Sequence, residues 1–386
     1  MKKIGLLPRL IIAIIIGILI GAYLPQIFTE ILATFNGLFG NFLGFVIPLI
    51  IIGFIVPGIA DLGNGAGRSL ALTAAIAYGF TVFSGLLSYG TGSLLFKHIL
   101  SPGSLTIGNT DNPEHALLSP LFSIEMPPLL GVMSALLMAF ILGIGISVIE
   151  GNVLKKVMTE FQEIISKLIT AIIIPLLPFH VMGIFANMTF AGQVGEIMAV
   201  FFKVFILVIL LQVLVISIQY LIAGTLNSKN PFLLIRKMIP AYFTALGTQS
   251  SAATIPVTLE QTKKMGVRGF VADFVIPLCA TIHLSGSTVT VTTCALAIMT
   301  INGMATPFMD FFPFILALGV TMVAAPGVPG GAIMAALGLL QSMLGFNDTL
   351  LSLMIALYLA QDSFGTATNI TGDGAIALVV DRFTRS

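Results

Sequence analysis

Residues 229–268 read KNPFLLIRKMIPAYFTALGTQSSAATIPVTLEQTKKMGVR, and the placing of their charges decides the fold. Lys229, Arg236 and Lys237 open the stretch, Lys263, Lys264 and Arg268 close it, and Met238–Leu259 lies between the two clusters. Basic residues collect on the cytoplasmic side of membrane proteins. If both clusters stay on that side, the segment between them enters the membrane and returns without crossing. Its centre, Gly247-Thr248-Gln249-Ser250-Ser251-Ala252-Ala253-Thr254, is too polar to face lipid. Irregular polar backbone is tolerated at membrane depth only where protein or a water-filled cavity surrounds it. The stretch therefore reads as a re-entrant helical hairpin, about 230–262, with a functional tip.

Working outward, the whole chain fits a membrane setting. Its 386 residues include 17 Lys and Arg and 16 Asp and Glu, or 9% charged, where soluble domains carry roughly 25%. With 57% hydrophobic residues and a mean hydropathy of +1.08, too few charges remain to cover a globular surface. The net charge of +1 gives no electrostatic case for a nucleic-acid partner,. Cys279 and Cys294 lie in an apolar stretch and are too few for a disulfide framework,. The gaps between charges mark spans at Leu10–Thr29, Ile31–Ala60, Ser69–Phe96, Met126–Ile149, Leu168–Gly195 and Val204–Ser228. An N-terminus inside the cell puts every basic residue except Lys97 and Lys203 on the cytoplasmic face, with both chain ends there,. The amphipathic run Gly151–Lys167 reads as an interfacial linker, and Ser101–Ser119 as an outside loop.

A second hairpin is expected at about 310–346. Phe311–Asn347 carries no charge, and Ala325-Pro326-Gly327-Val328-Pro329-Gly330-Gly331 interrupts its two apolar halves. The flanking spans place its entry on the outside. Two broken elements of opposite orientation are the mark of secondary transporters, whose sites lie near the bilayer midplane. The expected fold is an all-α membrane protein with eight transmembrane spans and two oppositely oriented re-entrant hairpins. A pump would need a phosphate loop and a soluble nucleotide-binding domain, and neither is legible. No positioned nucleophile–base pair supports an enzyme. A channel is the other transport class, and the paired hairpins favour alternating access over it.

The last span carries the strongest polar constellation. Asp362, Thr366, Asn369 and Asp373 follow one another at i, i+4, i+7 and i+11, which puts them on one helix face,. An Asp at mid-membrane costs about 2.5–3.5 kcal/mol on insertion scales. Two on one face point to cations or polar substrate groups that offset this cost. The span before it reads Ala280-Thr281-Ile282-His283-Leu284-Ser285-Gly286-Ser287, and its Ser-Gly-Ser weakens the helix. His283, with an ordinary pKa of about 6.5, reads equally as a proton carrier or as a neutral hydrogen-bonded side chain,. His180, two residues after Pro178, reads as structural.

These motifs resemble the dicarboxylate/amino acid:cation symporter family, the glutamate-transporter homologues. Ser250-Ser251-Ala252-Ala253-Thr254-Ile255-Pro256-Val257 is similar to the family's first hairpin tip, and Ile276 to Ser287 to its unwound seventh span. Gly327-Val328-Pro329-Gly330-Gly331 is similar to its second tip, and Asn369-Ile370-Thr371-Gly372-Asp373 to its eighth span. The resemblance covers nearly the whole chain. It implies inverted repeats, a homotrimer, and an elevator mechanism in a prokaryotic plasma (inner) membrane. Residues 1–65, with spans one and two, and 101–195, with the outside loop and spans four and five, would form a fixed scaffold. Residues 66–100 and 196–386 would form a transport domain. It implies a substrate site of Gln249, Ser250, Ser251, Ser287, Gly327, Val328, Pro329, Gly330, Asp362, Gly365, Thr366 and Asn369. In that site the α-carboxylate meets Ser251 and the α-amino group meets Asp362. It implies Na⁺ sites drawn from Asp373, Asn369, Cys279, Thr281, His283, Ser285, Tyr78 and Thr81.

The departures from the family pattern narrow the reading. Acidic-substrate members carry an Arg three residues after the Asp aligned with Asp362; here that position is Gly365. A buried substrate carboxylate without a partner is costly. The site motifs resemble the serine/threonine branch, so a small neutral amino acid such as serine, threonine or alanine is expected. The family's Asn-Met-Asp-Gly signature appears as His283-Leu284-Ser285-Gly286, Val82 replaces a hydroxyl residue, and Ala325 replaces a Thr. At most one or two Na⁺ sites centred on Asp373 are expected, with H⁺ on His283 as the replacement or supplement. No organic cofactor is expected.

Overall fold

A computed structural model describes residues 6–63, 68–100, 103, 118–192, 194–323, 325 and 330–384. Among them the chain is helical, without strands. The helices are α1 (Leu6–Tyr23), α2 (Gln26–Gly63), α3 (Arg68–Ile99), α4 (Val132–Val148), α5 (Val153–Leu168), α6 (Ile174–Phe190) and α7 (Val194–Leu226). They continue with α8 (Pro231–Thr248), α9 (Ser251–Lys264), α10 (Gly269–Ile282), α11 (Ser285–Ile301) and α12 (Phe308–Val323). The last are α13 (Gly331–Leu344), α14 (Asp348–Leu359) and α15 (Asp362–Phe383).

Five stretches are long and apolar enough to cross a membrane: Gln26–Pro57, Ala71–Ile99, Val153–Phe190, Met198–Leu226 and Gly269–Ile301. The pair α14 and α15, bent by 60° at a short break, makes a sixth. The described parts of α1 and α4 are apolar but shorter. The run read as a linker is helix α5, and it joins α6 through a π-helical turn at Ile169–Ile173. Together they reach 38 residues. At 1.5 Å per residue that exceeds a ~30 Å hydrocarbon core, so the charged α5 end is the part left over. The outside-loop stretch 104–117 lies outside the described residues.

The chain marks its breaks locally. Asn230 caps α8 by accepting from the Phe232 amide at 2.9 Å, and Pro231 sits at the first helical position, where a proline amide is not missed. The helix stops on Gln249, in the left-handed region at φ 54°, and Ser250 at once caps α9 by accepting from Ala253 N at 3.3 Å. A stop and a start on adjacent residues turn the chain back, and α8 packs on α9. The expected tip residues are thus the hinge of a helical hairpin. Gly330, at φ 75°, opens α13, and Asn347 caps α14 with Leu350 N at 2.9 Å.

Packing follows two groups of helices. α1 lies on α6, and α2 lies on α4, α5 and α6. Gly17 and Gly21 bring α1 against the backbone of α6 at Met182 and Ala186 so closely that any side chain would collide, the small-residue contact typical of membrane helices. In the other group α11 packs on α3, α7, α14 and α15, and α15 packs on α7, α8, α9 and α10. α13 and α14 meet α2 and α6 between the groups. α11 and α15 are almost wholly buried, so their polar side chains are shut inside protein.

Candidate functional site

α15 brings its polar face against the break between α10 and α11. α10 ends at Ile282, His283 and Leu284 are non-helical, and α11 restarts at Ser285. The restart leaves amides with no partner in their own helix, and Asn369 meets them: its Oδ1 accepts from Gly286 N at 2.7 Å and Ser287 N at 3.4 Å. Asn369 Nδ2 donates to Ser287 Oγ at 3.1 Å. The two helices approach at glycines, because a side chain on Gly286 would meet Gly365 O and Thr368. A Cβ on Gly365 would meet Ser287 N at an ordinary 3.5 Å, so a side chain at that position starts beside Ser287.

Asp362, at the first turn of α15, accepts at Oδ2 from Gly330 N at 2.7 Å. The described end of the second tip is therefore fastened to the carboxylate expected to hold substrate. Thr366 is buried one turn along the same face. Gly327, Val328 and Pro329 lie outside the described residues. Gln249, Ser250 and Ser251 sit half-buried at the first hairpin tip, where α9 packs on α15. The Ser250 hydroxyl is engaged as the cap of α9. One residue in this cluster escaped sequence reasoning. Tyr358, fully buried on α14, donates to Ser287 Oγ at 3.1 Å and lies against the Asp362 carboxylate.

The second polar centre is deeper along α15. His283 Nδ1 lies 2.9 Å from Asp373 Oδ1, with neither side chain exposed. Gln219 of α7 closes the other side, its Nε2 3.4 Å from His283 Nε2 and donating to Ser285 Oγ at 3.2 Å. Gln219 also was not expected. Its only sequence signal is that Gln212 and Gln219 share one face of an otherwise apolar span, and Gln212 Nε2 donates to Thr290 Oγ1 at 3.1 Å. Asp373 Oδ2 is buried without a hydrogen-bond partner, the kind of hard oxygen a cation completes. Cys279 is buried one turn before His283, whose amide donates to the Cys279 carbonyl at 2.9 Å.

The remaining expected cation ligands make hydrogen bonds to backbone carbonyls. Thr281 is exposed and donates to Leu278 O at 2.7 Å. Tyr78 donates to Leu316 O at 3.2 Å, and Thr81 to Ala77 O at 2.9 Å. His180 stands apart, its Nδ1 3.1 Å from the Asn36 amide and its Nε2 2.8 Å from Ser352 Oγ. With the Asn36 nitrogen facing Nδ1, Nε2–H donates to Ser352, which donates to Asp348 O at 2.7 Å. That is a satisfied neutral histidine. A cavity of about 490 Å³ lies beside it.

Glycine at 372 is required by the second centre. A methyl there would come within 2.5 Å of Gln219 Oε1 and 2.6 Å of His283 Cε1. Gly372→Ala is expected to cost about 1–3 kcal/mol, the usual range for overpacking. It should lower the unfolding midpoint in detergent, while Gly365→Ala, with ordinary contacts, leaves it in place. Equal midpoints for the two variants would contradict the crowding at Gly372.

Comparisons with known proteins bear on this arrangement. A serine/threonine transporter of Acinetobacter baumannii is 27% identical over 407 aligned residues, covering 98% of this chain and 97% of its own. A serine/threonine transporter of Streptococcus thermophilus is 24% identical over 399, covering 98% and 96%. An excitatory amino acid transporter of Caenorhabditis elegans is 28% identical over 256 residues, 64% of this chain. The chain spans 50% of that relative's length. The family and these relatives are transporters, not enzymes, and the apolar helices fit a multi-pass membrane protein. The profile of the sodium:dicarboxylate symporter family matches residues 6–383. Only the extreme ends of the sequence fall outside that match, and the chain belongs to the sodium:dicarboxylate symporter family.

Proposed function

We propose that the protein is a symporter importing a small neutral L-amino acid such as serine, threonine or alanine, coupled to Na⁺, H⁺ or both. One observation carries the reading. Asp362, Ser287 and Asn369 form a buried polar cluster whose only charge is one carboxylate, and Gly365 stands where an arginine would be needed for a substrate side-chain carboxylate. A single negative group complements the ammonium of a neutral amino acid, while a second substrate carboxylate would be left unpaired at high cost.

In the proposed architecture eight spans and two re-entrant hairpins, about 230–262 and 310–346, form inverted repeats, with both termini cytoplasmic. Residues 1–65 and 101–195 form the scaffold of a homotrimer in the cell membrane, and 66–100 with 196–386 the transport domain, which moves as an elevator. The separate packing of α1, α2 and α4–α6 supports this division. The substrate sits between the hairpin tips, where Ser250, Ser251 and the α9 start present amide and hydroxyl donors to its α-carboxylate. Gly327, Val328 and Pro329 complete the second tip.

Asp373 Oδ2 and Asn369 would hold Na⁺ as co-transported ion. The His283–Asp373 contact favours a second reading, in which a proton on His283 takes the place of one cation. Labelled serine uptake into proteoliposomes tests both. Accumulation under an inward Na⁺ gradient is the expected result, and accumulation under an inward pH gradient alone selects the proton. If neither gradient drives any neutral amino acid, the proposal fails.

A further inference from the structure

We infer that Tyr358 is a selectivity-determining residue that distinguishes a β-hydroxy amino acid from its methyl counterpart; this rests on the substrate class proposed above. Tyr358 sits in the last turn of α14, just before the 60° bend into α15. Its side chain has no exposure. A tyrosine buried so deeply needs a partner for its hydroxyl, and it finds Ser287 Oγ at 3.1 Å.

Ser287 Oγ already accepts from Asn369 Nδ2 at 3.1 Å. A serine hydroxyl has two acceptor positions and one donor. The Tyr358 hydroxyl also hydrogen-bonds the Asp362 carboxylate, which can only accept, so its one hydrogen is shared between Ser287 Oγ and Asp362. Ser287 is 2% exposed and Tyr358 is fully buried, so a hydroxyl that loses its partner here pays the cost of an unsatisfied buried group. The Tyr358 oxygen keeps acceptor capacity after donating its hydrogen. Tyr358, Ser287 and Asn369 are therefore a neutral hydroxyl–hydroxyl–amide group with both a donor and an acceptor to offer.

That group adjoins the carboxylate that takes the substrate ammonium, because Tyr358 lies against Asp362. A substrate whose ammonium rests on Asp362 carries its side chain on the neighbouring carbons, so a β-substituent falls beside the same hydroxyls. When the ammonium occupies Asp362, a β-hydroxyl gives Tyr358 and Ser287 a replacement partner; a β-hydrogen, as in alanine, gives none. Sites built to hydrogen-bond a hydroxyl reject the analogue lacking it. Tyr358 supplies this without a charge, so it does not neutralise a side-chain carboxylate.

The test is exchange of labelled L-serine in proteoliposomes preloaded with serine, competed by unlabelled L-serine or L-alanine. The parent protein is expected to favour serine over alanine by about tenfold, the size of one net hydrogen bond. Tyr358→Phe should bring that ratio close to one by weakening serine alone, with alanine affinity and the unfolding midpoint kept. A merely structural tyrosine would weaken both competitors together or lower the midpoint. Ser287→Ala, which removes the partner hydroxyl, should lower the ratio in the same direction and serves if Tyr358→Phe does not fold. A ratio unchanged in both variants, or a parent that takes both amino acids equally, overturns the inference while leaving the transport reading intact. A parent that exchanges no neutral amino acid overturns both.

Discussion

Asp362→Ala is expected to abolish amino-acid binding. Removing one partner of a buried, hydrogen-bonded charge pair costs about 2–5 kcal/mol, a loss of about thirty- to several-thousand-fold in affinity. Asp362 is 7% exposed, so water cannot easily replace it as partner to the ammonium. Alanine also releases Gly330 N, now held at 2.7 Å, and so loosens the end of the second hairpin. Asp362→Asn separates the two roles, since its amide oxygen still accepts from Gly330 while the charge is gone. Both variants should lose labelled-serine binding to purified protein, with only Asp362→Ala altering proteolysis around residue 330. Unchanged affinity in Asp362→Asn would remove the carboxylate from the ammonium's site.

The second large effect is on stability, at the other end of α15. Arg268 Nε donates to Asp381 Oδ1 at 2.6 Å, and its terminal nitrogen reaches Asp381 O at 3.1 Å and Thr384 Oγ1 at 2.9 Å. Its guanidinium also lies 4.8 Å from the centre of the Phe270 ring. Asp381 is completely buried, while Arg268 is 35% exposed. Arg268→Ala removes this cation from beside the buried carboxylate, together with the hydrogen bonds to Asp381 O and Thr384 Oγ1. Breaking fully buried pairs costs about 3–5 kcal/mol, and the partial exposure of Arg268 reduces this to about 2–4 kcal/mol. The loss appears as a lowered unfolding midpoint in detergent. Adding Asp381→Leu should restore most of it, because two apolar residues can replace a buried pair at little cost. If the double variant is no more stable than Arg268→Ala, loss of the cation beside Asp381 is not the cause.

The sequence made the α15 face legible because a helix repeats and polar residues are rare in this chain. Asp362, Thr366, Asn369 and Asp373 needed only spacing to be grouped, and the α10–α11 break was visible in Ser-Gly-Ser. The hairpin turn at Gln249–Ser250 was readable from the charge bracket around it. Partners supplied by distant helices were not. Gln219 and Tyr358 stand alone in apolar runs, where an amide or phenol reads as packing, and only three-dimensional approach shows what they touch. The same limit hid the pairing of His283: its place near Asp373 was expected, but a direct 2.9 Å contact was not. The continuity of α5 with α6 was missed because the pattern changes from one-sided to wholly apolar at residue 168, which reads as two elements.

The His180 bridge has a consequence for movement. It spans the two groups of helices, from the Asn36 amide on α2 through His180 on α6 to Ser352 on α14. Any sliding of α14 along α6 would part Nε2 from Oγ and leave the buried His180 N–H without its acceptor, at about 1–3 kcal/mol if nothing replaces it, while Ser352 keeps its bond to Asp348 O,. The adjoining cavity of about 490 Å³ is walled by Asn36, Asn41, His180, Asn187, Asp348 and Ser352. Such a lining suits water, which re-bonds each group as it separates. If the two groups of helices move as proposed, hydration of this lining, rather than apolar contact alone, would set the friction between them.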